Sequence, residues 1–376
     1  MPSMIKDLLN PSSLPDRTKE VSLVQTHISL VLVMDEFVYK IKKPVNFGFL
    51  DFSTLAKREY YCHQELRLNQ RLSRDIYLDV LPVTYDGKRY RIGKGRGQIL
   101  EYAVKMRKIP DEVVMKSLFY RGKLREENLR EIAHLLAEFH KKAHRSREID
   151  LFGKPDKVKI NTDENFRQTE KYIHKTIQEE DFHILKQWTE DFYGGNRALF
   201  GDRIVMGKIR DCHGDLHMEH VCLTKPICII DCIEFNDRFR YSDTISDIAF
   251  LLMDLEYHEG RGLAERLWDY YSVETGEKDA DHLLTFYKVY RAYVRGKVNS
   301  FQFDDENLGA ADKGRKENYE SNALTEQAYL NNKQKFEPVD LEDLKNRYPS
   351  LNILHLRVDT TSDLETEWFI IDKAVR

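Results

Sequence analysis

The hydrophobic period shifts from mostly strand-like to mostly helical part-way along this chain, and that shift is its strongest constraint on fold. From Val21 to Met106, β-branched and aromatic residues alternate with polar ones in short runs. From Pro110 to about Lys335, apolar residues recur mostly at the three-to-four spacing of helices. All-β and all-α folds are both excluded, and an α+β fold with segregated halves is expected. In the first half the runs Val21–His27, Ile28–Met34 and Phe37–Lys43 read as strands, and Ser53-Thr54 caps a helix over Leu55–Leu72. Tyr77–Val83, a turn at Asp86-Gly87, Arg89–Ile92 and Gly97–Met106 then return to strand. In the second half Pro110-Asp111-Glu112 makes a good first helical turn. Glu126–His144 is amphipathic through Leu129, Ile132, Leu135, Leu136 and Phe139. Residues 150–165 read as a polar loop, followed by helix from Asn165 to Tyr193, short strands between Ile209 and Asp231, and helices from Ser246 past Tyr293. The stretch Ser300–Lys316 is polar. The end reads as a strand, Ile353–Val358, a cap at Asp359–Ser362 and a helix through Ala374. The expected division is 1–106, 107–335 and a 336–376 appendage.

Composition narrows the function. A length of 376 residues exceeds one typical core and suggests two lobes or domains. With 41% apolar and 32% charged residues the chain has material for real cores and is not a disordered protein. A net charge of −4 argues against a broad nucleic-acid footprint. No apolar run reaches the ~18–20 residues of a spanning helix, and no basic-then-apolar leader opens the sequence. Five cysteines, an odd count, suit a reducing compartment. No nucleic-acid or membrane partner and a cytoplasmic location are therefore expected; oligomeric state leaves no signature.

The informative stretch is Asp211-Cys212-His213-Gly214-Asp215-Leu216-His217-Met218-Glu219-His220. Behind it stand the hairpin runs Val221–Leu223 and Ile227–Ile230, and then Asp231. A loop carboxylate can accept the proton of an attacking hydroxyl. A second carboxylate, returned by the hairpin, can hold Mg²⁺ against nucleotide phosphates. On the N-terminal side, period two puts Val38, Lys40 and Lys42 on one face of their strand. On the helix that follows, Glu59 and Glu65 both fall on or beside the face carrying Leu55, Cys62, Leu66 and Asn69.

These residues resemble the aminoglycoside phosphotransferase and choline kinase-like family, of protein-kinase-like fold. Its phrase His-Gly-Asp-Leu-His-x-x-Asn followed by Ile-Asp stands here as His213–His220 and Ile230-Asp231, with Asp243–Phe250 as the Asp-leading helix. A bacterial branch of that group matches more closely, through Lys42–Val45 with Gly48–Ser53, Glu219–Leu223 and Asp231–Phe235, over roughly residues 15–335. The resemblance implies a small β-rich N-lobe, a large mainly helical C-lobe, and ATP-dependent (or other nucleoside triphosphate-dependent) phosphoryl transfer to a hydroxyl of a small molecule, with Mg²⁺ or Mn²⁺. It makes Asp215 the catalytic base or hydroxyl-orienting residue and Asp231 the main metal ligand. His220 takes the position usually held by Asn, where it either ligates the metal with altered preference or only hydrogen-bonds Asp215 or a phosphate. Lys40 is favoured as phosphate clamp with Val38 roofing the adenine; Lys42 is the second choice. Glu65 is favoured as its carboxylate partner, with Glu59 as the alternative. Met106 is the expected gatekeeper, and the backbone of Arg107 and Ile109 would meet the adenine edge.

Where the family carries glycines between its first two strands, this chain has Gln25-Thr26-His27-Ile28-Ser29, so phosphate contacts would fall to Thr26, Ser29 or backbone N–H groups. That gap and His220 support a rival reading, a pseudokinase module that binds nucleotide without transfer. A zinc site from Cys212, Cys222, Cys228 and Cys232 with the nearby histidines lacks paired Cys-x-x-Cys spacing. Asp254, Glu256 and Glu259 would suit a cationic acceptor.

Overall fold

The computed structural model describes residues 2–93, 95, 97–301, 351–358 and 367–374. The chain divides into two compact units, one holding the described chain to Leu124 and then Glu219–Asp237, the other Arg125–Met218, 238–301 and the described residues from 351 on. The boundary expected at 106 falls inside the first unit.

The first unit is built on a six-stranded antiparallel sheet in the order β1-β2-β3-β6-β4-β5, with β1 at Ser22–Gln25, β2 Ser29–Val33, β3 Phe37–Lys42, β4 Tyr77–Tyr85, β5 Tyr90–Ile92 and β6 Gln98–Arg107. Alternation assigns its two faces. Leu30, Leu32, Tyr39, Ile41 and Ala103 pack against Met4 and Leu8 of α1 (Pro2–Leu8). Val31, Val38, Val104 and Met106 pack on the other side with Cys62 of α2 (Leu55–Asn69). Thr54 caps α2 by accepting the Lys57 N–H at 3.3 Å. Helix α1 was not expected: it is too short to show a period, and the sheet face it covers explains it. After α3 (Met115–Tyr120), this unit closes with a hairpin of β8 (Val221–Cys222) and β9 (Cys228–Ile229), preceded along the chain by β7 (Ile209–Asp211).

The second unit is mainly helical: α4 (Glu126–Lys142), α5 (Arg147–Asp150), α6 (Pro155–Thr169), α7 (Glu179–Gly195), α8 (Arg197–Val205), the short α9 (Asp237–Arg240) that enters it, α10 (Thr244–Tyr257), α11 (Arg261–Thr275) and α12 (Asp281–Phe301). In it β10 (Tyr241–Asp243) pairs antiparallel with β7. Helix α10 is buried from Thr244 to Leu255 and packs on α11 and α12. The polar loop expected over 150–165 is instead helix, largely α6, entered through Pro155 at its first position. Its period is masked because polar Thr162, Asn165 and Thr169 join Phe166 on the buried face.

The end of the chain departs from expectation in a second way. The strand is there, Leu351–Val358, as β11, but Glu367–Ala374 is its antiparallel partner β12 rather than a helix. The run Trp368-Phe369-Ile370-Ile371 has the aromatic and β-branched content that favours strand. The cap expected at Asp359–Ser362 and the polar 302–316 stretch lie outside the described residues. Among the described residues no helix is long and apolar enough to cross a membrane.

Candidate active site

In the first unit, β3 turns Lys40 and Lys42 to the side on which α2 lies. Lys40 Nζ sits 2.7 Å from Asp231 Oδ1 and 3.0 Å from Glu65 Oε1. Lys42, only 1% exposed, puts its Nζ 2.6 Å from Glu65 Oε2 and also pairs with Glu234. Glu65 is completely buried and is shared by both lysines, whereas Glu59 hydrogen-bonds Tyr102. The structure thus brings Lys40, Glu65 and Asp231 together and places Lys42 in a second row behind them. Burial opposes charge on Glu65, but the two ammonium groups overcome it and hold its carboxyl below the usual range. Burial also works against both lysines, yet the surrounding carboxylates raise their pKa values. Glu234 goes the other way, pushed up chiefly by burial. Glu234 carried no assigned role in the sequence reading; its signal was its place three residues after Asp231.

The loop bearing Asp231 is tied down along its backbone. Asp231 itself adopts a left-handed conformation (φ 61°), which Asp tolerates better than most residues. Its N–H donates to Tyr77 Oη at 3.1 Å, and the Cys232 N–H donates to Asn69 Oδ1 at 2.9 Å. Asn69 in turn donates to the Glu65 carbonyl at 2.9 Å, so α2 positions both the shared acid and the backbone of the Asp231 loop. At the other foot of the hairpin, Glu219 pairs with Lys116 of α3 at 2.5 Å. The Ile230 N–H donates to the His220 carbonyl at 2.9 Å, and His220 Nε2 lies 3.7 Å from Asp231 Oδ2. Two ligands of one ion with bonds of ~2.1 Å stand ~3–4 Å apart, so these two atoms fit a common divalent cation while Oδ1 faces Lys40. Asp231 keeps 37% of its side chain exposed.

The expected adenine contacts also belong to this unit. Val38 and Met106 are register partners in β3 and β6, and both pack in one apolar cluster with Ile109, Tyr77 and Ile230. Arg107 ends β6, exposed, with its N–H given to the Ile76 carbonyl at 2.8 Å. The β1–β2 turn corrects one expectation. Ser29 is fully buried, so its hydroxyl does not face a phosphate, and Thr26 Oγ1 already accepts the N–H groups of Ile28 and Ser29 at 3.3 and 3.0 Å.

In the second unit Asp215 follows β7, with 35% of its side chain exposed and Oδ2 3.6 Å from His217 Nε2. Its loop is held from below. Asp247 of α10 accepts the N–H groups of His213 and Gly214 at 2.9 and 2.8 Å and pairs with His140 Nε2 at 3.1 Å. Burial would raise the Asp247 pKa. The His140 hydrogen bond and the charges of His140, His213 and Arg291 outweigh it and hold the carboxyl well below the ordinary range. Asp254 accepts the Met218 N–H at 2.9 Å, and Arg291 Nη1 donates to the Gly214 carbonyl at 2.8 Å. Two of the three acids expected to form a cationic-acceptor surface are engaged elsewhere: Asp254 is buried under the loop and Glu256 pairs with Lys288 at 2.5 Å, while Glu259 is exposed. All five cysteines are buried and none is in a disulfide.

Comparison with known proteins places these residues in context. The profile described as the phosphotransferase enzyme family (APH) matches residues 52–283. Uncharacterized proteins of Mycobacterium tuberculosis and Mycobacterium bovis are 33% identical over 285 residues, 75% of this chain and 55% of theirs. The chain thus spans about half the length of those relatives. Among solved structures, a choline/ethanolamine kinase family protein from Mesorhizobium loti aligns with TM-score 0.44 and 13% identity over 88% of this chain and 96% of that one. An aminoglycoside 2'-phosphotransferase-IIIa in its GDP complex aligns with TM-score 0.46 and 14% identity over 82% and 94%.

Proposed function

Because this chain belongs to the phosphotransferase enzyme family, a group of kinase-like enzymes acting on hydroxyl acceptors, we propose that it transfers the γ-phosphoryl group of ATP to a hydroxyl of a small molecule. The observation that supports this most is the junction of Lys40 with both Glu65 and Asp231. A lysine that meets a helix carboxylate and a metal-loop carboxylate at once is what a phosphate clamp requires.

Each residue has a distinct task. Glu65 neutralises and aims Lys40, whose ammonium grips the nucleotide phosphates. Val38 and Met106 supply the apolar surface for the base, and the Arg107 and Ile109 backbone its edge contacts. Asp231 and His220 offer an oxygen and a nitrogen to one divalent cation. Mg²⁺, or Mn²⁺ given the imidazole, would neutralise phosphate charge when bound there. Asp215 orients the acceptor hydroxyl and takes its proton as the oxygen attacks phosphorus. Asp247 and Asp254 hold that loop in place, so catalysis rests on alignment and charge rather than covalent chemistry.

The test uses the full chain with ATP, Mg²⁺ and a panel of hydroxyl acceptors. Asp215→Asn is expected to keep Mg²⁺-dependent thermal stabilisation by ATP while losing ~10²-fold or more of transfer. Asp231→Asn is expected to lose the Mg²⁺-dependent stabilisation itself. Parental turnover in both variants would sink these assignments. ATP stabilisation with no transfer to any acceptor would favour the pseudokinase reading.

A further inference from the structure

The second unit contains a cleft between α6, the Arg238–Ser246 segment and α12, whose enclosed space is small, about 20 Å³. That is the scale of one polar group at its inner end rather than of a whole ligand. Its chemistry is one-sided. Arg291 is only 4% exposed; it gives Nε to the Ser246 carbonyl at 3.1 Å and Nη1 to the Gly214 carbonyl at 2.8 Å. Its guanidinium carbon lies 5.3 Å from the centroid of the Tyr290 ring, and Nη2 donates to nothing among the described residues. Lys157 lines the same cleft, as does Arg238, whose guanidinium is already paired with Glu164. The carboxylate in the lining, Asp243, is already neutralised by two 2.7 Å contacts from Arg203 and caps α10 through the Ile245 N–H. Two further buried polar atoms lining it, Asn161 Oδ1 and Ser242 Oγ, have no hydrogen-bond partner. A side-chain amide can rotate to present its N–H₂, and a hydroxyl can donate. Buried polar groups left unpaired are costly, and here both adjoin the cleft that Arg291 and Tyr290 line.

We propose that this cleft is the subsite for an oxyanion on the acceptor, so that the molecule phosphorylated is an anionic hydroxyl compound carrying a carboxylate or a phosphate. The proposal rests on the phosphotransferase reading above, and it identifies the substrate class. Arg291 joins the two functions physically: the side chain whose Nη1 holds the Gly214 carbonyl, one residue before Asp215, turns its Nη2 to the oxyanion. A cationic aminoglycoside or amino alcohol finds no unspent carboxylate in this lining. The substrate's anionic end would anchor on Arg291, Lys157 and the Asn161 amide, with its carbon skeleton against Tyr290.

Four probes of one skeleton test it: glucose, glucosamine, gluconate and glucose 6-phosphate. Binding to the full chain without nucleotide is followed by calorimetry at low and high salt. Gluconate or glucose 6-phosphate is expected to bind at least ten-fold more tightly than glucose or glucosamine, and less tightly at high salt. Which of the two is preferred separates a carboxylate from a phosphate as the recognised group. Lys157→Glu, at an exposed position, and Asn161→Leu are each expected to weaken the anion at least five-fold while leaving ATP binding unchanged; Arg291→Lys tests the anchor itself. Equal or tighter binding of glucosamine, no detectable anion binding at millimolar concentration, or undiminished anion binding in both Lys157→Glu and Asn161→Leu would overturn the subsite. Because the readout is binding, anion recognition without any phosphoryl transfer would leave the subsite standing and remove only the catalytic reading.

Discussion

Replacing Lys42 with Met isolates the energetics of the charged cluster. Met matches the aliphatic stem of lysine and removes only the ammonium. At 2.6 Å from Glu65 Oε2, the ammonium contributes a direct attraction of about 6 kcal/mol at an effective dielectric near 20. Burial of the ions offsets part of that. Once the cation is gone, Glu234 loses its paired ammonium and Glu65 keeps only Lys40. Breaking a buried pair from one side costs about 3–5 kcal/mol. With a urea dependence of about 2 kcal/mol per M, the unfolding midpoint of the first unit is expected to fall by roughly 1.5–2.5 M. The three tryptophans, Trp188, Trp268 and Trp368, all lie outside that unit. Intrinsic tryptophan fluorescence would therefore follow the wrong half of the molecule. Far-UV circular dichroism, or hydrogen exchange in peptides covering β3 and α2, reads the right one. Lys42→Met combined with Glu234→Leu removes one stranded carboxylate and is expected to recover at least half of the loss. A midpoint shift below about 0.5 M for the single variant, or a double variant no better than the single, would refute the account.

Two further outcomes test other parts of the structure. The Asp247 carboxyl titrates lower in the folded chain than its ordinary 3.8, so its contribution is present above pH 3.8 and is lost as pH falls from there through its folded value. Asp247→Asn is expected to cost about 2–3 kcal/mol at pH 7. Its deficit against the parent should shrink at pH 3 in urea titrations, and a gap that stays constant would contradict this. Among the cysteines, the Cys228 thiol is brought down to about 7, first by its hydrogen bond with Cys222, with Thr224 and Ser73 assisting against burial. Burial pushes Cys62 up to about 12. Limited alkylation with iodoacetamide near pH 7.5, read by peptide mass mapping, should mark Cys228 before Cys62, and the reverse order would overturn the assignment.

The parts of this molecule readable in advance were those where pattern and chemistry coincide. Alternation alone put Val38, Lys40 and Lys42 on one face of β3, and the two feet of the β8–β9 hairpin were legible from a short apolar–turn–apolar run ending in Asp231. The α+β class followed from a mostly strand-like half preceding a mostly helical one. What escaped has physical reasons. The face of α6 is buried through Thr and Asn side chains, which a hydrophobicity pattern counts as solvent-facing. The segment of strand β12 reads as helix from sequence because the acids and hydroxyls before it resemble a cap. The second row of Lys42 and Glu234 was invisible because an acid three residues beyond Asp231 looks like surface until a partner from another strand reaches it. The role of Asp247 depends on backbone N–H groups more than thirty residues earlier, which leave no trace in side-chain spacing.

The hairpin acts as a spacer between its two feet. His220 and Asp231 stand at its two feet, and a ladder of only two residue pairs, Val221 with Ile229 and Cys222 with Cys228, sets their separation. The tip, where Thr224 Oγ1 reaches back to the Pro226 carbonyl at 2.7 Å, takes no part in that spacing. Length drift over evolution can therefore accumulate at the tip without disturbing the feet. Loss of one residue from either short strand would slide the ladder by one and turn a foot to the opposite face.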